Sequence, residues 1–346
     1  MISIFPHIQI SWWRRLLALV RAQGSWTGFE NRTETTISFD EGTRTFTIAP
    51  ASPLTQFSYW CLGRRIVKFS SENIIITDSE GVHFIYYDGA ILVDDPFPPD
   101  NNVLRDVTFI ALIHWDATNK KATIFGDERH GLMDWWTHNM HHFSEGAVHV
   151  AGGRMLNFTL GGTGGLDSDA QIGIEDWAID DEDIRHVCHN ISSPVNPYEQ
   201  ILNPILNSCA LYRSGSGGLW RRDDPTAFPL KMGSVYPVYN LNTAGVWTTP
   251  DVTINKYFIY WVVATNHILP TIVVPGQNEY VNIADAQNDL VWENMDLGGF
   301  ATPETNLFFG LIFQAKSVAN SVNATLEYIA DYRGQNLKNL NISTFL

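Results

Sequence analysis

The sequence predicts an all-β protein, and three observations favour that fold class. Of the 346 residues, 12% are aromatic and only 17% are charged, against a usual charged fraction of about 25%. The chain also contains 26 Gly and 16 Pro, so turns are frequent. Apolar and polar residues alternate over many short runs, which is typical of half-buried strands. We therefore expect β-sandwich or jelly-roll-like domains with a few short helices. The same composition excludes a disordered chain, a coiled coil and a collagen-like fibre.

Residues 1–25 are predicted to form an amphipathic helix. Leu19 shares an apolar stripe with Trp12 and Leu16, Trp13 and Leu17 lie beside that stripe, and three arginines fall on the opposite side. The apolar run is too short and too interrupted by charge for a signal sequence or a membrane span. Such a helix packs on its own domain, docks on a partner protein or lies on a membrane surface. As partner-docking residues we name Trp12, Trp13, Leu16 and Leu17.

The next hundred residues read as consecutive strands. Thr35, Ile37 and Phe39 alternate with polar neighbours before a turn at 40–42, and the alternation then resumes, which predicts a hairpin. Further strands are predicted, in order, at 57–62, 64–69, 73–77, 82–87, 107–115 and 121–125.

The middle of the chain is predicted to contain two short helices. One covers 134–143, with Asp134 at its start, and the other covers 180–188, because four successive carboxylates would meet the positive end of a helix dipole. The prolines between 194 and 204 mark a boundary. We therefore divide the chain into a docking helix (1–25), a β-rich domain (26–200) and a second β-sandwich-like domain (201–346).

The last third returns to strand patterns. Strands are expected at 209–213, 257–265, 307–315 and 324–333, with one helix at 284–292.

Charge and cysteine content limit the partners and the compartment. The formal net charge of −15 repels phosphate backbones and argues against nucleic-acid binding. Cys61, Cys188 and Cys209 are widely separated and form no CxxC pair. They are expected to be buried free thiols of a protein that folds in a reducing compartment.

Histidines are concentrated between residues 114 and 149. In a helix over 134–143, His138 and His142 would be four residues apart and face one metal ion. The HExxH motif is absent because residue 139 is Asn, so the hydrolytic base is missing. His186 and His189 have a ligand-like spacing but no third ligand nearby in sequence. We assign no metal site and no cofactor from the sequence.

Two carboxylates in this region have the residue types that a glycosidase uses. Glu128 and Asp134 would serve as its acid and base if their separation in space allowed it. The competing interpretation is that Arg129 forms ion pairs or backbone hydrogen bonds that shape the turn at 127–131. No GxSxG or P-loop motif occurs, and we assign no catalytic residue.

Several tryptophans lie in polar or turn-rich contexts. Trp135, Trp136, Trp220 and Trp247 are interpreted as exposed. Exposed aromatic faces stack on sugars or seal subunit interfaces, where Trp and Tyr are enriched. We name Trp135, Trp136 and Trp220 as receptor-binding residues.

Beyond these patterns, seven segments are distinctive as a set. They are GFENRTETTISFDEGTRTFTIAP (28–50), FSYWCLGRRIVKFS (57–70), DSEGVHFIYYDG (78–89), FIALIHWDATNKKATIFGDERHG (109–131), DEDIRH (181–186), LYRSGSGGLWRRDD (211–224) and NLFFGLIFQAKSVANSVNATLEYIADYRG (306–334). Together they resemble a family of bacteriophage virion proteins of the structural or tail-fibre-like kind. The resemblance covers about residues 26–334 and contains no catalytic signature.

The resemblance implies a non-enzymatic virion component that is assembled in the bacterial cytoplasm. It implies a tail fibre, tail spike or capsid fibre that contributes to host attachment, with a homo-oligomer, a trimer above all, as the working state. The N-terminal segment would bind other virion proteins, and the β-domains would contact a host surface glycan. Nucleic acid and membrane insertion are not expected. The alternative is a glycan depolymerase or a carbohydrate-binding module of the particle.

Overall fold

The structure, a computed structural model, describes residues 26–96, 106–134, 137–138, 141, 146–196, 198–267, 269–300 and 304–334. Strands account for 50% of it and helices for 7%, which confirms the all-β fold class. The chain separates into two compact units. Unit 1 comprises Met1–Ile113 and Asp127–His141, and unit 2 comprises His114–Gly126 and His142–Leu346.

The first nine strands form three sheets. Their orders are β1-β2-β5, β3-β4 and β7-β6-β8-β9. A 3₁₀ turn, Arg32–Glu34, precedes the first strand. The chain passes from unit 1 to unit 2 within β8 and returns at the end of β9. The strands are β1 (Thr35–Asp40), β2 (Thr45–Pro50), β3 (Phe57–Cys61), β4 (Arg64–Lys68), β5 (Glu72–Ile75), β6 (Gly81–Asp88), β7 (Ile91–Asp95), β8 (Thr108–Asp116) and β9 (Lys121–Asp127).

Aromatic side chains fill the interior of unit 1. The rings of Tyr59 and Tyr87 stack with centroids 4.1 Å apart, and Phe29 lies 6.0 Å from Tyr59. All three are buried. The two phenol groups keep hydrogen-bond partners, since Tyr59 donates to Gly89 O and Tyr87 donates to Glu72 Oε2. Both of these buried phenol groups therefore have a hydrogen-bond partner.

Unit 2 holds the larger sheet. Its strand order is β18-β19-β16-β21-β20-β22-β23, with β17 also paired to β16. Smaller sheets have the orders β10-β13-β14-β15 and β11-β12. The strands are β10 (Ala147–Gly152), β11 (Met155–Leu156), β12 (Gly173–Ile174), β13 (Trp177–Asp181), β14 (Ile184–Asn190), β15 (Glu199–Gln200), β16 (Cys209–Ser216), β17 (Leu219–Arg222), β18 (Leu241–Thr243), β19 (Val246–Thr248), β20 (Tyr257–Thr265), β21 (Thr271–Tyr280), β22 (Thr305–Ala315) and β23 (Ala324–Asp331).

The core of unit 2 lies between the large sheet and the β13 region. Trp177 packs edge-on against Phe308, with centroids 5.5 Å apart, and its indole N–H donates to Thr271 Oγ1. Phe258 stacks on Phe313 across β20 and β22. The strands of the large sheet are long apolar runs because both of their faces are covered over much of their length.

Helical structure in the described part of unit 2 is limited to short segments. Helix α1 covers Ile283–Asn288 and begins at Asn282, whose side chain accepts from Asp285 N–H. Two 3₁₀ turns cover Asp167–Asp169 and Trp292–Asn294. The helix predicted at 284–292 is therefore confirmed in its first half.

The helix predicted at 180–188 is wrong. Strands β13 and β14 form a hairpin there, with Asp180 opposite Arg185. Glu182 makes the turn at a φ of +53°, and alternate residues of β14 are buried. The alternation of buried residues favours a strand, whereas the acidic run favours a helix start. Burial of one face wins, because the interaction of carboxylates with a helix dipole is worth only about 1 kcal/mol or less.

The two compact units divide the chain differently from the boundary that we predicted near residue 200. Residues on both sides of that point share one core, in which Ile174, Trp177 and Cys188 pack with Leu202 and Phe308. Gln200 itself is buried and bonds Thr271 in both directions, accepting its N–H and donating to its O. The prolines mark turns within unit 2.

Cys61, Cys188 and Cys209 are free and buried, as the sequence predicted. Among the residues that the structure describes, no helix has the length and apolar character needed to cross a bilayer.

Candidate functional site

The most distinctive group of polar side chains in unit 1 lies on the segment that follows β9. Glu128 N–H donates to Ile110 O over 2.9 Å, and His130 N–H donates to Glu128 O over 2.9 Å. The first bond continues the pairing with β8, and the second closes a three-residue turn. Residues 127–130 are thereby held as an extended segment with a tight turn.

Asp127 and Arg129 form a buried ion pair in this segment. Arg129 donates from Nε to Asp127 Oδ1 over 2.7 Å and from Nη2 to Oδ2 over 2.6 Å. The exposed fractions of the two residues are 6% and 2%. Such a two-point contact fixes both distance and orientation. The prediction that Arg129 shapes this turn is confirmed.

The third nitrogen of Arg129 ties the turn to the start of β1. Nη1 donates to Thr35 O over 2.7 Å and to Thr35 Oγ1 over 2.5 Å. It also contacts Arg32 O over 3.1 Å, while Arg32 Nη1 donates to Asp127 Oδ2. Asp127 therefore accepts hydrogen bonds from two guanidinium groups, and these contacts join the turn to the residues that precede β1.

The backbone of residues 27–29 holds the other edge of the segment. Phe29 N–H donates to His130 O over 2.7 Å, and Gly28 exchanges two hydrogen bonds with Trp60. Gly28 has a φ of +123°, and a Cβ on it would collide with the carbonyl oxygens of His130 and Gly131. Only glycine fits between the two neighbouring backbones here.

On this scaffold, three potential metal ligands come together. Glu128, His130 and His138 each offer one donor atom, and these atoms all lie within 4.8 Å of one another. Glu128 Oε2 is 3.3 Å from His130 Nε2. The imidazole rings of His130 and His138 have centroids 4.8 Å apart and are tilted by 50°. We call these three residues the EHH cluster.

Two residues of the EHH cluster are shielded from solvent, and the third, His138, is partly exposed. Glu128 is 6% exposed and His130 is 4% exposed. Phe109 contacts His138 edge-on at 6.5 Å, so an aromatic ring lines one side. Oε1 of Glu128 is buried without a hydrogen-bond partner. An unsatisfied buried carboxylate oxygen is unusual, because removing it from water costs free energy that a partner normally offsets.

The pairing of His138 with His142 stays a prediction, because His142 lies outside the described residues. His138 lies beside His130. His138 N–H donates to Asp134 O, which places it on one helical turn. The spacing of Glu128 and His130 was the available signal, since residues two apart on an extended segment point to the same side.

The two carboxylates considered for glycoside hydrolysis have different surroundings. Glu128 is buried beside His130. Asp134 accepts hydrogen bonds from the Thr137 N–H and hydroxyl, each over 3.1 Å. In this arrangement Asp134 stabilises the turn that carries His138.

Trp220 and Trp247 are buried, so the expectation that they are exposed is wrong. Trp220 is 4% exposed, its indole N–H donates to Leu297 O, and its ring packs on Phe300. Trp247 is covered by the guanidinium of Arg213 at 4.0 Å. Both side chains complete the interior of unit 2, because burial of a large aromatic ring is strongly favourable once the indole N–H has a partner. As placed, Trp220 has no face open to a receptor.

His186 and His189 do not share a site. Both lie on β14, where His186 is buried and His189 is exposed. Residues three apart on a strand point to opposite faces. His189 Nδ1 lies 3.1 Å from Asp176 Oδ2 at the surface.

The other named residues lie outside the part of the chain that the structure describes. These are the docking residues Trp12, Trp13, Leu16 and Leu17 and the receptor-binding residues Trp135 and Trp136. Both assignments stay predictions.

Comparison with models of protein families, with curated proteins and with solved structures gave no match.

Proposed function

We propose that this chain is a structural component of a bacteriophage particle. In this proposal it belongs to a tail fibre, a tail spike or a capsid fibre, acts as a homo-oligomer and contributes to host attachment. The segments quoted above that resemble virion proteins support it, and so does the all-β architecture. The working state is a trimer, the N-terminal segment binds other virion proteins, and a host surface glycan is the receptor.

The observation that carries the proposal is an exposed apolar edge on unit 1. Phe69 is 75% exposed, Ile75 61% and Ile91 69%. Large apolar side chains with this exposure are expected to be covered in the working assembly when they cluster.

These three side chains lie on segments that are tied together. Lys68 donates from Nζ to Glu72 Oε1 and to Ala90 O, which joins the residue before Phe69 to β5 and to the residue before Ile91. The segment β5 is the last strand of β1-β2-β5, and β7 is the last strand of its sheet. The two end strands also lie next to each other, and end strands are the usual place where a further strand pairs.

A second copy of this chain is the occupant that we propose for this edge. Strand edges pair with other edges, and in a closed trimer this edge of one copy would contact a different patch on the next copy. The low charged fraction of 17% fits a surface that is partly covered by copies of itself. The net charge of −15 favours a position outside the genome-filled shell, because it repels DNA.

Light scattering of the full chain after size exclusion tests the proposal. We expect a mass that is a multiple of the 39.0 kDa protomer, and three protomers for the trimer. The triple variant Phe69→Ser, Ile75→Thr, Ile91→Thr is expected to give monomers that stay folded by circular dichroism.

A matched control alters exposed apolar residues elsewhere. Leu166 and Val195 are 68% and 85% exposed, and the double variant Leu166→Ser, Val195→Thr is expected to keep the parent mass. A monomeric parent chain would contradict the proposal, and so would a triple variant with an unchanged mass.

A further inference from the structure

We propose that Glu128, His130 and His138 bind a divalent first-row transition-metal ion, with Zn²⁺ as the best fit. Their donor atoms lie within 4.8 Å of one another. In a tetrahedral site with bonds of about 2.1 Å, donor atoms are about 3.4 Å apart. The donor atoms therefore need to approach one another by at most about 1.4 Å, which rotation of the side chains supplies.

The unpartnered oxygen of Glu128 is the independent observation that points to a cation. The Glu128 side chain is only 7% exposed, and its Oε1 accepts no hydrogen bond. By contrast, the buried charged groups of the neighbouring residues Asp127 and Arg129 form an ion pair with each other. A metal ion would neutralise the Glu128 carboxylate and use its free oxygen.

The backbone holds two of the ligands in place before any ion binds. Glu128 N–H bonds Ile110 O, and His130 O accepts from Phe29 N–H. His138 comes from the adjacent helical turn, whose first residue, Asp134, accepts the His138 N–H. The ion would cross-link this turn to the end of β9.

The donor set selects the class of metal. Two imidazole nitrogens and one carboxylate oxygen suit Zn²⁺, Fe²⁺ or Co²⁺, whereas Ca²⁺ and Mg²⁺ prefer sites built from oxygen alone. Three protein ligands leave one tetrahedral position for water or for a further group.

The test is a metal titration of the full chain after treatment with a chelator. We expect one Zn²⁺ per chain, measured by competition with a chromophoric chelator, and a rise in melting temperature on binding. Co²⁺ is expected to give visible absorption bands of a tetrahedral site with nitrogen and oxygen ligands.

Two substitutions test whether the proposed ligands bind the ion. Glu128→Gln keeps the shape of the side chain, and His138→Gln alters the least buried ligand, so that at least one is expected to fold. Each is expected to weaken Zn²⁺ binding at least tenfold, since even loss of a supporting contact costs about 10–100-fold. His189→Gln, an exposed histidine on β14, is the control and keeps the parent affinity.

A parent chain that takes up no stoichiometric Zn²⁺ would overturn the proposal. Equal Zn²⁺ affinity in the parent, Glu128→Gln and His138→Gln chains would also overturn it, because the ion would then be bound by other histidines.

Discussion

Asp127 and Arg129 form a two-point ion pair inside unit 1, and the residues next to them in sequence, Glu128 and His130, form the EHH cluster. Alternate residues of one short segment thus serve two purposes. Asp127 and Arg129 fix the backbone, and Glu128 and His130 present donor atoms. The rigidity of the first pair determines where the second pair lies.

Removing one charge of the buried pair is expected to destabilise unit 1. Asp127→Asn leaves Arg129 buried with an incomplete partner, and we expect the free energy of unfolding to fall by about 3 kcal/mol. Urea denaturation followed by fluorescence measures this.

The exposed pair of Asp180 and Arg185 provides the control. It has the same two-point geometry, with distances of 2.7 and 2.8 Å, but it lies at the surface. Asp180→Asn is expected to change stability little, because solvent screens exposed pairs. Equal effects of the two substitutions would show that burial is not what gives the Asp127 pair its strength.

Gly28 is expected to tolerate no side chain. A Cβ there meets the carbonyl oxygens of His130 and Gly131, which are part of fixed backbone. Gly28→Ala should lower the free energy of unfolding by about 2–3 kcal/mol, the upper part of the usual range of about 1–3 kcal/mol for overpacking. Gly89 is the comparison, because it also has a positive φ but no atom within 4 Å of an added Cβ.

Gly89→Ala is expected to cost only about 1 kcal/mol, the conformational penalty of a left-handed residue. Thermal or chemical denaturation of both variants checks the difference. A milder effect at Gly28 than at Gly89 would contradict the proposed backbone contact.

His267 gives unit 2 a specific sensitivity to acid. Burial, together with the nearby charge of Arg222, lowers the pKa of His267 from 6.5 to about 3, and Nδ1 accepts the Phe125 N–H over 2.6 Å. Between these two pKa values the unfolded chain binds a proton that the folded chain does not. The contribution of the neutral His267 to the free energy of unfolding is therefore complete above pH 6.5. It is lost as the pH falls towards 3, at up to about 1.4 kcal/mol per pH unit.

His267→Gln isolates this effect, because Gln can accept the same hydrogen bond but does not titrate. We expect the parent chain to lose about 1 kcal/mol more than the variant between pH 6.5 and pH 5.5, because the unfolded histidine is already half protonated at pH 6.5. Denaturation curves at both pH values measure it. Parallel pH dependence in the two proteins would show that His267 does not govern acid stability.

The three thiols are expected to be unreactive in the folded protein. Burial raises the pKa of Cys188 and raises that of Cys209 to about 12, and Cys61 is also buried. The thiolate is the reactive form. A thiol-specific reagent at pH 8 should therefore label none of them until denaturant is added and should then label three. Fast labelling of the folded chain would contradict the burial.

Most strands could be predicted from the sequence, because their apolar residues alternate or form short runs bounded by turns. The hairpin over 35–48 and the strands at 257–265 and 307–315 are confirmed. At 180–188 the sequence contains two conflicting signals. Four carboxylates favour a helix start, and the alternation of Ile184, His186 and Cys188 favours a strand. Burial of that alternate face decides the structure.

The site was predicted less completely, and the reason is physical. Glu128 and His138 were candidates individually, and Arg129 was expected to shape the turn. The contact of His138 with Glu128 and His130 depends on tertiary packing within unit 1, which no local sequence pattern encodes. Trp220 was misjudged for the same reason, because its cover comes from Leu297 and Phe300, far away in sequence.

The central proposal is that this chain is an external structural component of a phage particle. The most direct measurement is a cryo-electron microscopy map of intact particles of a phage whose genome contains this sequence. We predict several symmetry-related copies in a tail fibre, tail spike or capsid fibre, with the exposed edge around Phe69, Ile75 and Ile91 against a neighbouring copy. Particles that contain no copy of the chain would contradict the claim.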